Sequence, residues 1–95
     1  MAGTLVLAAS AQTLLASEYP ERAEQLQQSG AILPLEQILT EARKQYPGRV
    51  LETDLERRHE RYVYEIKIMD DKGRVRELKY DAATGKLLKS ELEKS

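Results

Sequence analysis

The most regular alternation of apolar and polar residues lies between residues 61 and 85. Along residues 62–69 every second side chain is apolar, which is typical of a half-buried β-strand. One face of this strand would carry Tyr62, Tyr64, Ile66 and Ile68. The same period in the following segment places Leu78 and Tyr80 together. The pattern predicts two antiparallel strands, 61–70 and 74–81, joined by a tight turn.

The register of these two strands can be predicted from their charges. A slip by one residue would place Ile66 beside Glu77, so few registers keep apolar residues together. The predicted register pairs Tyr64 with Tyr80 and Ile66 with Leu78 inside, and Lys67 with Glu77 and Glu65 with Lys79 outside. Its three-residue loop ends at Gly73, where a left-handed backbone is needed.

Residues 34–46 have the spacing of an amphipathic helix that would cover the sheet. The helix should end at Pro47-Gly48. A shorter helix is predicted over residues 20–29, because a proline and acidic residues open it and Gly30 follows it. The apolar stripe of the main helix consists of Leu35, Ile38, Leu39, Ala42 and Tyr46.

Two further strands complete the predicted sheet. Strand 49–58 would place Leu51, Thr53 and Leu55 beside Ile68, Ile66 and Tyr64 respectively. This register implies a two-residue turn at His59-Glu60 with positive φ at both positions. After strand 74–81, Asp81 opens a turn that closes at Gly85, and residues 86–89 form a short edge strand.

The elements together predict an α+β fold, with one main helix packed on an antiparallel meander of three to four strands. The turns depend on Gly48, Gly73, Asp81 and Gly85. The predicted core comprises Leu35, Ile38, Leu39, Ala42, Leu51, Leu55, Tyr64, Ile66, Ile68, Leu78 and Tyr80.

Residues 1–17 are almost free of charge, and they are too short and too interrupted by polar residues for a membrane span. Ala9-Ser10-Ala11 fits a signal-peptidase site, but a positively charged start is missing. We expect a truncated secretory signal; a non-standard signal and a short helix of the folded protein are the alternatives. Residues 18–31 would then form the short helix and a linker, residues 32–90 the domain, and residues 91–95 a frayed tail.

Composition narrows the function. The 95 residues include 15 basic and 16 acidic side chains, which disfavours a nucleic-acid binder. There is no cysteine, so neither a disulfide nor a thiolate metal site can form. The single histidine, His59, lies among Arg57, Arg58 and Arg61, which disfavour both its protonated form and a bound metal ion. We therefore expect no catalytic residue, no metal and no cofactor.

Residues 32–89 resemble the PepSY domain family. The resemblance lies in the helix LPLEQILTEARKQYPG, the strand motif Y-x-Y-E-I-K-I, the turn D-D-K-G and the closing D-A-A-T-G-K-L-L. It implies a small α+β module outside the bacterial cytoplasm, similar to the propeptide modules of secreted metallopeptidases, for which a restraining role has been proposed. The family carries no established catalytic residue that could be transferred.

The function expected from this resemblance is a non-enzymatic periplasmic or secreted module. Its partner would be a protein, either a peptidase or the sensing part of an envelope regulator. Contact would occur on the outer sheet face around Val63, Met69 and Val75, or by strand addition at a free edge. The alternatives are a small-ligand or metal-sensing domain, and a structural module that associates with itself as a homodimer.

Overall fold

The computed structural model describes residues 22–93, which form two helices and one four-stranded antiparallel sheet. The helices are α1 (22–28) and α2 (Leu35–Gln45); the strands are β1 (Arg49–Arg58), β2 (Arg61–Met69), β3 (Val75–Asp81) and β4 (Leu87–Leu92). The strands are adjacent in chain order, so the predicted α+β meander is confirmed. The expected signal segment 1–17, the start of the short helix and residues 94–95 lie outside the described residues.

Helix α2 covers the inner face of the sheet. It begins after Pro34, which has an extended backbone, and Tyr46 closes its last turn. Ile38 and Ala42 are buried in one cluster with the inner residues of the strands. That cluster also includes Ile32, Tyr64, Ile66, Ile68, Leu78, Tyr80 and Ala82. Leu35, Leu39 and Leu55 are partly buried against it. The apolar stripe of the helix and the apolar face of the sheet therefore form a single core.

The register of β2 and β3 agrees with the charge pattern. Tyr64 lies opposite Tyr80 and Ile66 opposite Leu78, as predicted. On the other face, Glu65 lies opposite Lys79, and their charged atoms are 3.7 Å apart. Lys67 is opposite Glu77 in the register, but its ammonium lies 3.1 Å from Glu93 instead. The outer ion pairs therefore link β2 to β3 and to the end of β4.

Strand β1 departs from the predicted register at its start. Leu55 and Thr53 lie opposite Tyr64 and Ile66 as expected, but Val50 rather than Leu51 lies opposite Ile68. A register shift between Val50 and Glu52 leaves one extra residue in β1. Leu51 is consequently 46% exposed, and its predicted place in the core is wrong. A β-bulge of this kind displaces a side chain from the face that simple alternation would assign to it.

Strand β4 is longer than predicted. It extends to Leu92, and the Glu93 amide donates a 2.8 Å hydrogen bond to the Val75 carbonyl. Residues 91 and 92, which were assigned to a frayed tail, therefore belong to the strand. The Lys67–Glu93 ion pair supports this additional length, because it fixes the side chain that follows the strand.

The turns adopt the conformations that their residues favour or tolerate. His59 and Glu60 have φ values of 51° and 65°, as the predicted two-residue turn requires. Gly73 has a φ of 79° in the next hairpin. In the turn after β3, the Asp81 carboxylate accepts the amide N–H groups of Ala83 and Thr84. This turn also docks on the segment before α2, because the Leu33 amide donates to the Ala82 carbonyl at 2.8 Å.

Candidate functional site

The outer face of the sheet, on the side away from α2, lies outside the buried core. None of the clustered core residues within the described part of the chain belongs to this face. Along β2 and β3 this face carries acidic and basic side chains, with a few apolar ones among them. Its apolar members on these two strands are Val63, Met69 and Val75. The structure places them at the two ends of the face, because Met69 pairs with Val75 and Val63 pairs with Asp81.

Val63 does not contribute to an exposed contact surface. It is only 4% exposed, and it lines the floor of a shallow depression with Lys79 and Leu88. The expectation that Val63 is accessible is therefore wrong, because the neighbouring long side chains cover it. Met69 and Val75 are half-buried and remain accessible at the end of the face near the β2–β3 turn.

The middle of the outer face holds carboxylates close to one another. Burial raises the pKa of Glu65, and the neighbouring Glu56 and Glu77 carboxylates raise it further, while Lys79 acts in the opposite direction. Asp54 lies directly opposite Glu65 in the register of β1 and β2. Like charges opposite each other destabilise a strand pair. The central acidic residues thus interact through charge repulsion, which a proton on Glu65 relieves.

A cleft of about 550 Å³ lies between the end of α2 and the β2–β3 turn. Tyr46, Gly48 and Ile68 line it together with Asp70, Arg74 and Arg76. The Arg76 guanidinium lies 4.9 Å from the centre of the Tyr46 ring and donates a 2.9 Å hydrogen bond to the Ser90 hydroxyl. This cleft was not predicted from the sequence. Its available signals were an arginine on the apolar face of β3 and a tyrosine at the end of the apolar stripe of α2.

Asp70 shapes the rim of this cleft by organising the hairpin. One carboxylate oxygen accepts the amide N–H groups of Lys72 and Arg74, and the other accepts the Arg74 side chain at 2.8 Å. These bonds hold the pKa of Asp70 below its usual range, with the Arg74 amide contributing most. Asp70 is therefore engaged in local structure and is not a free acid or base.

Among the described residues, the surroundings of His59 are basic and apolar. His59 is exposed in the β1–β2 turn and lines the depression over Val63 together with Arg58 and Arg61. A general base needs a nucleophile or an orienting acid within hydrogen-bond reach, and the lining of this depression contains no carboxylate. Over residues 22–93, no group of three or more histidine, cysteine or acidic side chains is arranged to hold a metal ion.

No helix within the described residues is long and apolar enough to cross a membrane.

Of the comparisons with known proteins, one gives a match. No significant match occurs among curated proteins or among solved structures. A family model described as the peptidase propeptide and YPEB domain, PepSY, matches residues 32–91. These residues include α2 and nearly all of the four-stranded sheet. The chain therefore belongs to the PepSY family.

Proposed function

We propose that this chain is an extracytoplasmic, non-enzymatic module that binds a peptidase and restrains its activity. The family is described by its presence in peptidase propeptides, and its domains generally occur in secreted proteins as regulatory rather than catalytic modules. The buried core of the described residues is apolar, with no buried charged side chain. The polar chemistry therefore lies on the surface, which suits binding better than catalysis.

The surface proposed to contact the peptidase is the outer sheet face near the β2–β3 turn. The observation that supports it is the cross-strand pair of Met69 and Val75, the two partly exposed apolar side chains among the charged ones that β2 and β3 place on this face. Apolar residues ringed by charges are typical of the centre of a protein interface. The nearby Lys67–Glu93 ion pair would form part of the polar rim. An envelope sensor protein is the alternative partner for the same surface.

A photocrosslinking experiment tests this proposal. A photoreactive amino acid at Val75 should crosslink to a secreted or periplasmic peptidase from the source organism, whereas the same group at Gln37, exposed on α2, should not. The purified peptidase should then lose activity on adding the module. We expect Val75→Asp to weaken that inhibition about tenfold or more, because it places a charge in the apolar centre of the contact. Gln37→Asp serves as the matched control.

Three outcomes would contradict the proposal. Equal crosslinking from both positions would mean that the contact is not specific. Crosslinking only to a protein without peptidase activity would favour the envelope sensor. Unchanged inhibition by a folded Val75→Asp variant would remove the proposed surface from the contact.

A small-ligand site in the cleft beside Tyr46 is the second candidate. Its volume of about 550 Å³ is in the range of ligand pockets, and the guanidinium of Arg76 has neutral partners there, the Tyr46 ring and the Ser90 hydroxyl. An arginine with neutral partners can bind a carboxylate. Titration with succinate should shift the amide resonances of Tyr46 and Arg76 if the cleft binds such ligands, and Arg76→Met should abolish the shifts. Absence of any shift would eliminate this candidate.

A further inference from the structure

The two edge strands of the sheet differ in how well they are protected. In a hairpin closed by a two-residue turn, the flanking pair is hydrogen-bonded and the pairs then alternate. The Leu55 amide therefore points to the free side of β1, where it donates a 2.9 Å hydrogen bond to the Asp54 carboxylate. The bulge between Val50 and Glu52 further distorts this edge. Bulges and charged side chains are the usual means of preventing strand addition.

Strand β4 is irregular at Leu88, where its register with β3 shifts, but its pairing is regular from Lys89 to Leu92. The hydrogen bond from the Glu93 amide to the Val75 carbonyl shows which β4 residues bond to β3. By alternation, Glu91 and Lys89 also face β3, whereas the backbone groups of Ser90 and Leu92 point to the free edge. The exposed leucines of the sheet include Leu88 at 40% and Leu92 at 41%, which flank Ser90. This edge therefore offers backbone hydrogen-bonding groups between two exposed apolar side chains.

The charges of β4 do not complement those of β3. The register places Lys89 opposite Lys79 and Glu91 opposite Glu77. Like charges in directly opposite positions are destabilising. The side chains of Lys89 and Glu91 remain 49% and 61% exposed, and their charged atoms are 3.7 Å apart along the strand. Both charges are thus accessible to a strand that would lie beside β4.

We propose that β4 pairs with β4 of a second copy of this chain, antiparallel and centred on Ser90. Ser90 would lie opposite Ser90 of the second copy, and the two residues would exchange both backbone hydrogen bonds. Lys89 of each copy would then lie opposite Glu91 of the other. Because Lys89 and Glu91 flank Ser90, two antiparallel copies of this segment have opposite charges facing each other on both sides of the centre.

Other registers lack this complementarity. Pairing centred on Leu92 would place Glu91 opposite Glu93, which is repulsive. Pairing centred on Leu88 would place Lys89 opposite Leu87 and leave Glu91 without an opposite charge. A parallel arrangement in register would place each lysine beside the same lysine. The register centred on Ser90 is the one that satisfies both the charges and the direction of the free backbone groups.

The proposed dimer continues the sheet from four strands to eight. Its two-fold axis is perpendicular to the sheet, so both copies of α2 lie on the same side. The outer faces of the two copies then form one continuous surface, with Met69 and Val75 accessible in each copy. Self-association through β4 is therefore compatible with a partner on the outer face, but it does not depend on one.

Charge reversal provides the main test, with the full 95-residue chain studied by analytical ultracentrifugation. We expect a dimer whose dissociation constant rises about tenfold or more in Lys89→Glu and in Glu91→Lys, because each single reversal places like charges opposite each other at two symmetric positions. The double variant K89E/E91K should restore dimerisation. Each single reversal should leave the stability of the monomer about unchanged, because the new opposite-charge pair with Lys79 or Glu77 offsets the loss of the exposed Lys89–Glu91 ion pair.

Weaker association with undiminished thermal stability cannot come from general unfolding. A wild-type chain that stays monomeric at its highest attainable concentration would overturn the proposal. A dimer that tolerates both single reversals, or that the double variant does not restore, would also overturn it.

A single cysteine tests the proposed centre directly. The chain contains no cysteine, so Ser90→Cys introduces the only thiol. Opposite hydrogen-bonded residues in an antiparallel pair have Cα atoms about 5.5 Å apart, which a disulfide can bridge. Mild oxidation should convert Ser90→Cys to a covalent dimer, whereas Thr40→Cys, exposed on α2, should remain monomeric. Equal crosslinking of the two variants would show that β4 is not the contact.

Discussion

The Tyr64 hydroxyl donates a 2.6 Å hydrogen bond to the Leu33 carbonyl, which joins the middle of β2 to the segment that enters α2. The Leu33 amide donates to Ala82, and the Ala82 amide in turn donates to the Tyr62 carbonyl at 2.9 Å. Two points of β2 are thereby connected to one residue before the helix. This network holds α2 over the inner face of the sheet at its N-terminal end.

Tyr64→Phe should destabilise the domain by about 1–2 kcal/mol. The substitution removes the hydroxyl that donates to the Leu33 carbonyl, and a lost hydrogen bond that is partly buried costs about this much. Urea unfolding monitored by circular dichroism measures the difference. The same substitution at Tyr80 is the matched control, because Tyr80 lies opposite Tyr64 in the sheet.

Tyr80→Phe should be neutral or stabilising. The Tyr80 hydroxyl is buried and has no hydrogen-bond partner among the residues that the structure describes. Burial raises the pKa of Tyr80, with smaller contributions from Tyr46 and Glu41. Removing a buried hydroxyl that has no partner removes a desolvation cost. Equal losses of stability in the two variants would contradict the assignment of the Tyr64 bond.

Gly48→Ala should destabilise the domain by about 1–3 kcal/mol, the range expected for overpacking. A methyl group on Gly48 would overlap the Met69 carbonyl oxygen and lie 2.7 Å from Cγ2 of Ile68. Gly73→Asn is the control, since its Cβ would meet no atom within 4 Å and asparagine tolerates a positive φ. Thermal unfolding should show a lower Tm for the first variant and little change for the second. A tolerated alanine at Gly48 would mean that β2 approaches the end of α2 less closely.

Glu60→Gly should leave stability unchanged or raise it by up to about 1 kcal/mol. Glu60 has a φ of 65°, and a left-handed backbone costs a non-glycine residue about 1–2 kcal/mol, part of which is offset by the greater freedom of glycine in the unfolded chain. The reverse change, Gly73→Val, should lower the Tm because Gly73 has a φ of 79° and valine is β-branched. A clear loss of Tm in Glu60→Gly would contradict the conformation of this turn.

The register of β2 and β3 could be predicted because two independent patterns agree in it. Apolar residues must share one face, and opposite charges then meet on the other, as for Glu65 and Lys79. A slip by one residue would violate both patterns. The turn at His59-Glu60 could be predicted because pairing Leu55 with Tyr64 leaves two residues for the connection. Both have positive φ, although glycine or asparagine is more usual in such a turn.

The remaining differences arise where tertiary contacts override alternation. The bulge between Val50 and Glu52 contains no glycine or proline that would indicate it in the sequence. Simple alternation therefore assigned Leu51 to the wrong face. Ala82 and Ala83 look alike in the sequence, yet Ala82 is fully buried because its amide bonds to β2. The length of β4 depends on Glu93, whose ion pair reaches across β3 to Lys67. Contacts between residues this far apart leave no periodic signal.

The pH dependence of stability should separate two carboxylates with opposite pKa shifts. Burial and the Glu56 and Glu77 carboxylates raise the pKa of Glu65 above its ordinary value of 4.5. A raised folded-state pKa means that the folded protein holds this proton more tightly than the unfolded chain. Ionised Glu65 therefore destabilises the fold at neutral pH. This cost disappears as the pH falls through the folded-state pKa to 4.5.

Asp70 has the opposite sign. Its hydrogen bonds from Arg74 and Lys72 lower its pKa below the ordinary value of 3.8, so its ionised form stabilises the fold above that pH, and the contribution is lost as the pH falls below it. Relative to wild type, Glu65→Gln should become more favourable as the pH rises from about 4 to 7, whereas Asp70→Asn should become less favourable as the pH rises from about 2 to 5. Urea unfolding of all three proteins across this range measures both slopes. If the stability of both variants relative to wild type changed with pH in the same direction, the pKa of Glu65 would not be raised. That result would contradict the burial and the crowding of carboxylates around Glu65.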